Sequence, residues 1–159
     1  MIRLYHGTAG EPAAVSATFR TMATRRMNGD DGFGQATGDA PFIVIVDDDT
    51  SVRQSARRLI RSFGYRAEAF GSGRAFLDGV EDQHICCLLL DVRMPEMDGL
   101  EVQRRLTERG LRIPIVFLTG RASDEEERRA RAAGAIEFLR KPIDTATLQQ
   151  VFERLCGQP

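Results

Sequence analysis

The sequence predicts an α/β fold, a doubly wound five-stranded parallel sheet covered by five helices, and three observations predict it. Apolar runs at Phe42–Val46, Ile85–Leu90 and Ile113–Leu118 read as strands buried on both faces, because a half-exposed strand would alternate. Stretches of helical period separate these runs, each bounded by a capping residue and a stop. Carboxylates, a hydroxyl and an ammonium then recur directly after the runs, at the sheet edge where open parallel sheets bind ligands.

The elements follow in order. After Phe42–Val46, Thr50 or Ser51 is placed to cap a helix with Val52, Ala56, Leu59, Ile60 and Phe63 on one face, stopped by Gly64. Residues 65–70 alternate like an edge strand, and a short helix follows at 73–79. Ile85–Leu90 ends at Asp91. Beyond Met94 and Pro95, a helix from about Asp98 to Arg109 presents Leu100, Gln103 and Leu106, with Val102 beside them. Ile113–Leu118 ends at Thr119 and Gly120. Residues 123–133 form a highly charged helix closed by Gly134, supported by i,i+4 pairs Glu125–Arg129 and Glu127–Arg131. That helix buries little, so its anchoring is weak enough to let it shift. A short strand at 135–139 leads to Asp144, which caps a last helix burying Leu148, Val151, Phe152 and Leu155. Such β–α alternation implies a parallel sheet with helices on both faces.

Residues 1–39 have a different texture. They hold six of the fifteen glycines and no sustained period, and only residues 12–27 fit even a weakly amphipathic helix. The reading is a mostly disordered extension at 1–39 and one domain at 40–159. A net charge of −1 gives no electrostatic case for wrapping nucleic acid or an anionic membrane. No apolar run approaches the roughly 18 residues of a membrane span, and no secretory leader is recognisable, so a cytoplasmic address is expected. The three cysteines, Cys86, Cys87 and Cys156, are odd in number and lack metal-ligand spacing, which favours buried reduced thiols. Of 22 basic residues, only Lys141 is a lysine. A site that needs one compact ammonium, where the planar arginine fork would not serve, produces such a bias.

Asp47, Asp48 and Asp49 follow the first strand, Asp91 the third, Thr119 the fourth and Lys141 the fifth. Each alone has a bland explanation as a cap or strand end; their coincidence on one sheet edge does not. Clustered carboxylates raise one another's pKa unless a cation is present, and Mg²⁺ takes oxygen ligands of this kind. A carboxylate can also act as nucleophile and form an aspartyl phosphate, with Lys141 and the Thr119 hydroxyl facing the phosphoryl oxygens.

The phrases Ile43–Asp49, Leu88–Gly99, Phe117–Gly120 and Phe138–Pro142 resemble the receiver domains of bacterial response regulators, most of all the nitrogen-fixation-regulator type, over about residues 41–157. The resemblance implies a flavodoxin-like receiver fold and a phosphoacceptor role for Asp91, with a sensor histidine kinase or histidine phosphotransfer protein as donor. It further implies Mg²⁺ held by Asp47, Asp48, Asp91 and the Arg93 main-chain carbonyl. Thr119 and Phe138 become paired switch residues, the Lys141–Pro142 bond a cis peptide, and Asp49 a helix N-terminal acid and not a ligand. A downstream protein is expected on the face of the fourth helix, fifth strand and fifth helix. The segment after the last helix leaves no room for a DNA-binding module, so a receiver standing alone is expected. Two rivals are weaker. A hydrolase of the haloacid dehalogenase type would want Thr or Val where Ser51 stands, a cap domain, and an acidic pair after the fourth strand. A pseudo-receiver would lack the acceptor, the acid pair or the lysine, and all are here.

Overall fold

A computed structural model of the chain describes residues 40–80 and 85–159. The extension at 1–39, with the helix considered at 12–27, lies outside the described residues. Ten elements alternate: β1 (Phe42–Val46), α1 (Thr50–Ser62), β2 (Arg66–Phe70), α2 (Gly73–Gly79), β3 (Ile85–Asp91), α3 (Gly99–Glu108), β4 (Ile115–Thr119), α4 (Asp124–Ala132), β5 (Glu137–Arg140) and α5 (Thr145–Cys156). The strands form one parallel sheet in the order β2-β1-β3-β4-β5. The chain winds outward from β1 to β2 and then returns past β1 to begin β3. That reversal opens a crevice beyond the carboxyl ends of β1 and β3, the usual ligand position in such sheets.

Side-chain alternation divides the core into two layers. Val44, Val46, Leu88, Leu90 and Phe117 meet Phe76 of α2, Val102 and Leu106 of α3, and Ala130 of α4. Their neighbours Ile43, Ile45, Leu89, Val116 and Leu118 meet Ile60 of α1 and Leu148, Val151 and Phe152 of α5 on the other face. The buried strands therefore read as unbroken apolar runs because both faces are covered.

Helix entries follow short polar side chains, with one correction. The α1 cap is Asp49, not Thr50 or Ser51: its carboxylate accepts from the main-chain N–H groups of Ser51 and Val52. An ionised oxygen accepts two such bonds more strongly than a hydroxyl, so the helix begins one residue earlier. Ser72, Asp98, Ser123 and Asp144 cap the other four helices, Ser123 through a reciprocal box with Glu126. Gly64 and Gly134, both at φ +93°, turn the chain out of α1 and α4.

On α4 the Glu127–Arg131 pair forms as anticipated, at 2.9 Å, but Glu125 pairs with Arg128 instead of Arg129. Residues three and four apart are both neighbours on a helix surface, and here the nearer one is taken. The helix is also better fastened than its small side chains suggest. Ala130 is fully buried, and the buried Gln103 amide donates to the Ala130 and Ala133 carbonyls at 3.1 and 3.2 Å. Its anchoring is polar and so escapes a count of apolar surface.

The cysteines need a second correction. Cys87 is a buried free thiol, but Cys86 and Cys156 form a disulfide, with Cα atoms 5.2 Å apart. Adjacent strand residues ordinarily point to opposite faces. Between Phe42 and Ile43, however, the register with β3 skips from Ile85 to Cys87. The irregularity breaks the alternation, and Cys86 packs on the same side as Cys87, where the end of α5 lies.

Gly99, the first residue of α3, has no side chain for a packing reason. A Cβ there would lie 2.3 Å from the Asp91 carbonyl oxygen and 3.0 Å from the Phe117 ring. Gly99→Ala should therefore destabilise the fold by about 1–3 kcal/mol or more. The check is a urea unfolding midpoint, which must fall with the slope unchanged.

Candidate functional site

Each site residue reaches the crevice because a buried strand ends there. Asp47 directly follows β1 and is fully buried; Asp91 is the last residue of β3 and is 6% exposed. A buried carboxylate needs partners, and Asp47 has them. The Asp49 main-chain N–H donates to its Oδ1 at 2.9 Å, and Lys141 Nζ donates to its Oδ2 at 2.6 Å. The same ammonium lies 3.4 Å from Asp91 Oδ1. Asp48 is exposed, yet one carboxylate oxygen each from Asp47, Asp48 and Asp91 fall within 4.8 Å of one another. The sequence-predicted acid cluster is thus brought together, with the lone lysine inside it.

Thr119 ends β4 and is 1% exposed. Its Oγ1 accepts the Arg121 main-chain N–H at 3.1 Å, which leaves the hydroxyl proton available to donate. The Lys141 N–H donates to the Thr119 carbonyl at 2.7 Å, tying the last two strand ends together, and the Lys141–Pro142 bond is cis. Phe138 on β5 is buried, its ring centroid 5.7 Å from that of Phe117. Arg93 turns its guanidinium outward to Glu126 at 2.9 Å, while its main chain donates a hydrogen bond to Asp91.

The electrostatics show a shortage of positive charge. Burial raises the Asp91 pKa, the Lys141 charge lowers it and the Asp47 charge raises it again, with a net upward result. Burial pulls the Lys141 ammonium down, but the Asp47 hydrogen bond and the charges of Asp91 and Asp47 outweigh that and leave it raised. One ammonium does not balance three carboxylates. The donor set is all oxygen and hard, so it fits a divalent cation such as Mg²⁺.

Three residues at or near the site carry roles that the sequence reading missed. Arg53 Nη1 donates to the Asp47 carbonyl at 2.7 Å. Glu126 joins Arg93 to the α4 capping box, and Gln103 holds the far end of that helix. Arg53 had a signal: it sits one turn into a helix, and helical side chains point back over the preceding turn. The Ser123-x-x-Glu126 capping pattern was a local signal, but the Arg93 partner of Glu126 lies 33 residues away and the Ala130 partner of Gln103 27 away.

Comparison with known proteins agrees with this geometry. The model of the response regulator receiver domain matches residues 43–153. The response regulator protein TmoT of Ectopseudomonas mendocina is 44% identical over 122 residues, covering 77% of this chain and 56% of that protein. The transcriptional regulatory protein FixJ of Bradyrhizobium diazoefficiens is 33% identical, over 73% of this chain and 57% of its own length. The chain thus spans about half the length of these curated relatives. Among solved structures, the Vibrio cholerae chemotaxis protein CheY4 superposes with a TM-score of 0.67 at 29% identity, over 73% of this chain and 98% of that one.

The raised Asp91 pKa has a consequence for stability. Between the ordinary value of 3.8 and the raised folded value, the folded protein binds more protons than the unfolded chain. Its contribution is therefore lost as pH rises through that window, and above it the ionised carboxylate opposes folding. In metal-free buffer at pH 7, Asp91→Asn should raise the thermal midpoint, with a smaller gain near pH 4. Scanning calorimetry at both pH values checks this; a lower midpoint at pH 7 would contradict it.

Proposed function

The chain belongs to the response regulator receiver domain family, and on that premise we propose that it accepts a phosphoryl group on Asp91 in a Mg²⁺-dependent reaction. The donor is a phosphohistidine on a sensor histidine kinase or a histidine phosphotransfer protein. An Asp91 carboxylate oxygen bonds to phosphorus as the phosphorus–nitrogen bond breaks, and the electron pair leaves with the imidazole. The observation that carries this reading is the convergence of Asp47, Asp48 and Asp91 around the single lysine. Asp47, Asp48, Asp91 and the Arg93 main-chain carbonyl would hold Mg²⁺, which supplies neutralising charge to phosphoryl oxygens when bound. Lys141 stands where it can neutralise another of them, and the Thr119 hydroxyl can donate to a third.

The role is signalling. The domain assists its own phosphorylation and dephosphorylation and turns over no other substrate. Asp49, already committed to capping α1, is not a ligand. Phosphate on Asp91 draws Thr119 inward and repacks Phe138, whose ring already lies inside against Phe117. The step is therefore a shift within the core, not a swing from solvent. It biases α4, which lies between the two residues, and the face of α4, β5 and α5 then takes a downstream protein. This 40–159 body carries the activity in the cytoplasm, where such kinases draw on ATP, and residues 1–39 are dispensable for it. Among the described residues, no helix is long and apolar enough to cross a membrane.

Acetyl phosphate with Mg²⁺ should label the protein, and a chain beginning at Asp39 should label equally. Asp91→Asn should lose the label, and Asp48→Ala should need about 10-fold more Mg²⁺ or above. Undiminished labelling of Asp91→Asn, read by intact-mass spectrometry, would sink the assignment. The output face has its own check. Beryllofluoride, a phosphoryl mimic, should alter amide exchange across residues 120–140; changes confined to the Asp91 loop would place the output elsewhere.

A further inference from the structure

We infer that Arg53 is a positioning residue for the metal site, one that sets the Asp48 carboxylate through the Asp47–Asp48 peptide. The inference rests on the proposed Mg²⁺ reading and extends it to a residue outside the ligand set. Asp47 is held at every polar atom. Its N–H donates to the Phe70 carbonyl at 3.2 Å, and its two carboxylate oxygens accept from Asp49 and Lys141. Its carbonyl oxygen accepts from Arg53 Nη1 at 2.7 Å. That oxygen belongs to the peptide joining Asp47 to Asp48. Because a peptide is planar, fixing its oxygen fixes the rotation of the whole unit, and with it the positions of the Asp48 N and Cα from which the side chain departs. Asp48 is exposed, so its aim depends on the backbone that carries it.

Arg53 is itself well located. Nη2 donates to Thr50 Oγ1 at 2.8 Å, so the fork spans the loop between β1 and α1. A Cβ built on Gly71 would lie 3.3, 3.4 and 3.5 Å from Nη1, Cζ and Nη2. Three nearly equal distances mean that the guanidinium lies flat over Gly71, in space that any larger residue would narrow. Lysine lacks the fork and could not reach both oxygens in this way.

The direction of the effect separates positioning from charge. A cation beside the site repels Mg²⁺, so if charge were all that mattered, Arg53→Gln would bind Mg²⁺ more tightly and Arg53→Lys would be unchanged. Positioning requires both to bind more weakly. Gly71→Ala supplies a third perturbation that leaves every charge in place; the Gly71 backbone is not left-handed, so alanine adds no backbone strain and acts by crowding the Arg53 guanidinium.

The experiment titrates Mg²⁺ against acetyl phosphate labelling in the full chain. It records the half-saturating concentration and the plateau rate separately, beside the metal-free thermal midpoint. The half-saturating Mg²⁺ should rise about 10-fold in Arg53→Lys and Arg53→Gln, and measurably in Gly71→Ala, with plateau rates within about twofold of wild type. A general loss of structure would instead lower the metal-free midpoint and the plateau together, and would overturn the inference. So would an unshifted or tighter half-saturation in Arg53→Gln while the wild type responds normally, which would leave the proposed function intact. A wild-type chain that neither labels nor responds to Mg²⁺ would remove both.

Discussion

The ion pair between Lys141 and Asp47 is the interaction on which the site depends. The two residues are 94 positions apart, and their strands are not neighbours: β3 and β4 lie between β1 and β5. Lys141 therefore reaches across two strand ends to satisfy a carboxylate that is fully buried. Taking such a charge out of water is tolerable only with a close counter-charge and further hydrogen bonds, and Asp47 has both. The same ammonium sits over Asp91, so the pair that stabilises the buried acid also pre-places a cation beside the proposed acceptor. Other features serve this geometry. The strand order brings the ends of β1 and β3 side by side, and Gly99 lets α3 close against the Asp91 carbonyl.

Much of this was legible in the sequence, for a physical reason. Strands buried on both faces must be apolar throughout, and the residue that follows each one lands on a single edge; both signals are local. Asp47, Asp91, Thr119 and Lys141 could therefore be placed before any coordinates. What was not legible depended on choices among near-equivalents or on distant partners. Asp49, Thr50 and Ser51 are all cap-forming types, and the two main-chain bonds that the Asp49 carboxylate accepts decide among them. Glu125 had arginines at both i+3 and i+4. The Cys86–Cys156 pairing needed a register irregularity in β3 that no residue type announces. Gln103 looked like a polar residue on an apolar face, until its two carbonyl partners at the end of α4 gave it a reason to be buried.

The fastening of α4 bears on how a local event can spread. Arg93 lies two residues beyond Asp91 and pairs with Glu126, which also accepts from the Ser123 N–H and hydroxyl at the head of the helix. Hydrogen bonds from Ser123 and the Arg93 charge hold the Glu126 carboxyl below the usual range. At the tail, Arg131 lies 3.6 Å from Glu137 on β5. Exposed pairs of this sort contribute about 0–1 kcal/mol each, and the Gln103 bonds about 1 kcal/mol apiece. The sum is a few kcal/mol, enough to hold one arrangement and small enough for a single new phosphoryl contact to compete with it.

The disulfide gives the last helix a mechanical character. Cys156 is the final residue of α5 and is bonded to the start of β3, while the Tyr65 hydroxyl donates to the adjacent Gly157 carbonyl at 2.7 Å. The carboxyl end of the helix is thus riveted to the amino end of the central strand, away from the site. Its amino end follows directly on Lys141, Pro142 and Ile143, beside the site. Leu148, Val151 and Phe152 hold its middle in the core, so the helix is least fastened at the amino end. Any movement of Lys141 would therefore be felt first in the opening turn of α5 and damped towards the disulfide, which gives the helix a soft end at the site and a hard end away from it.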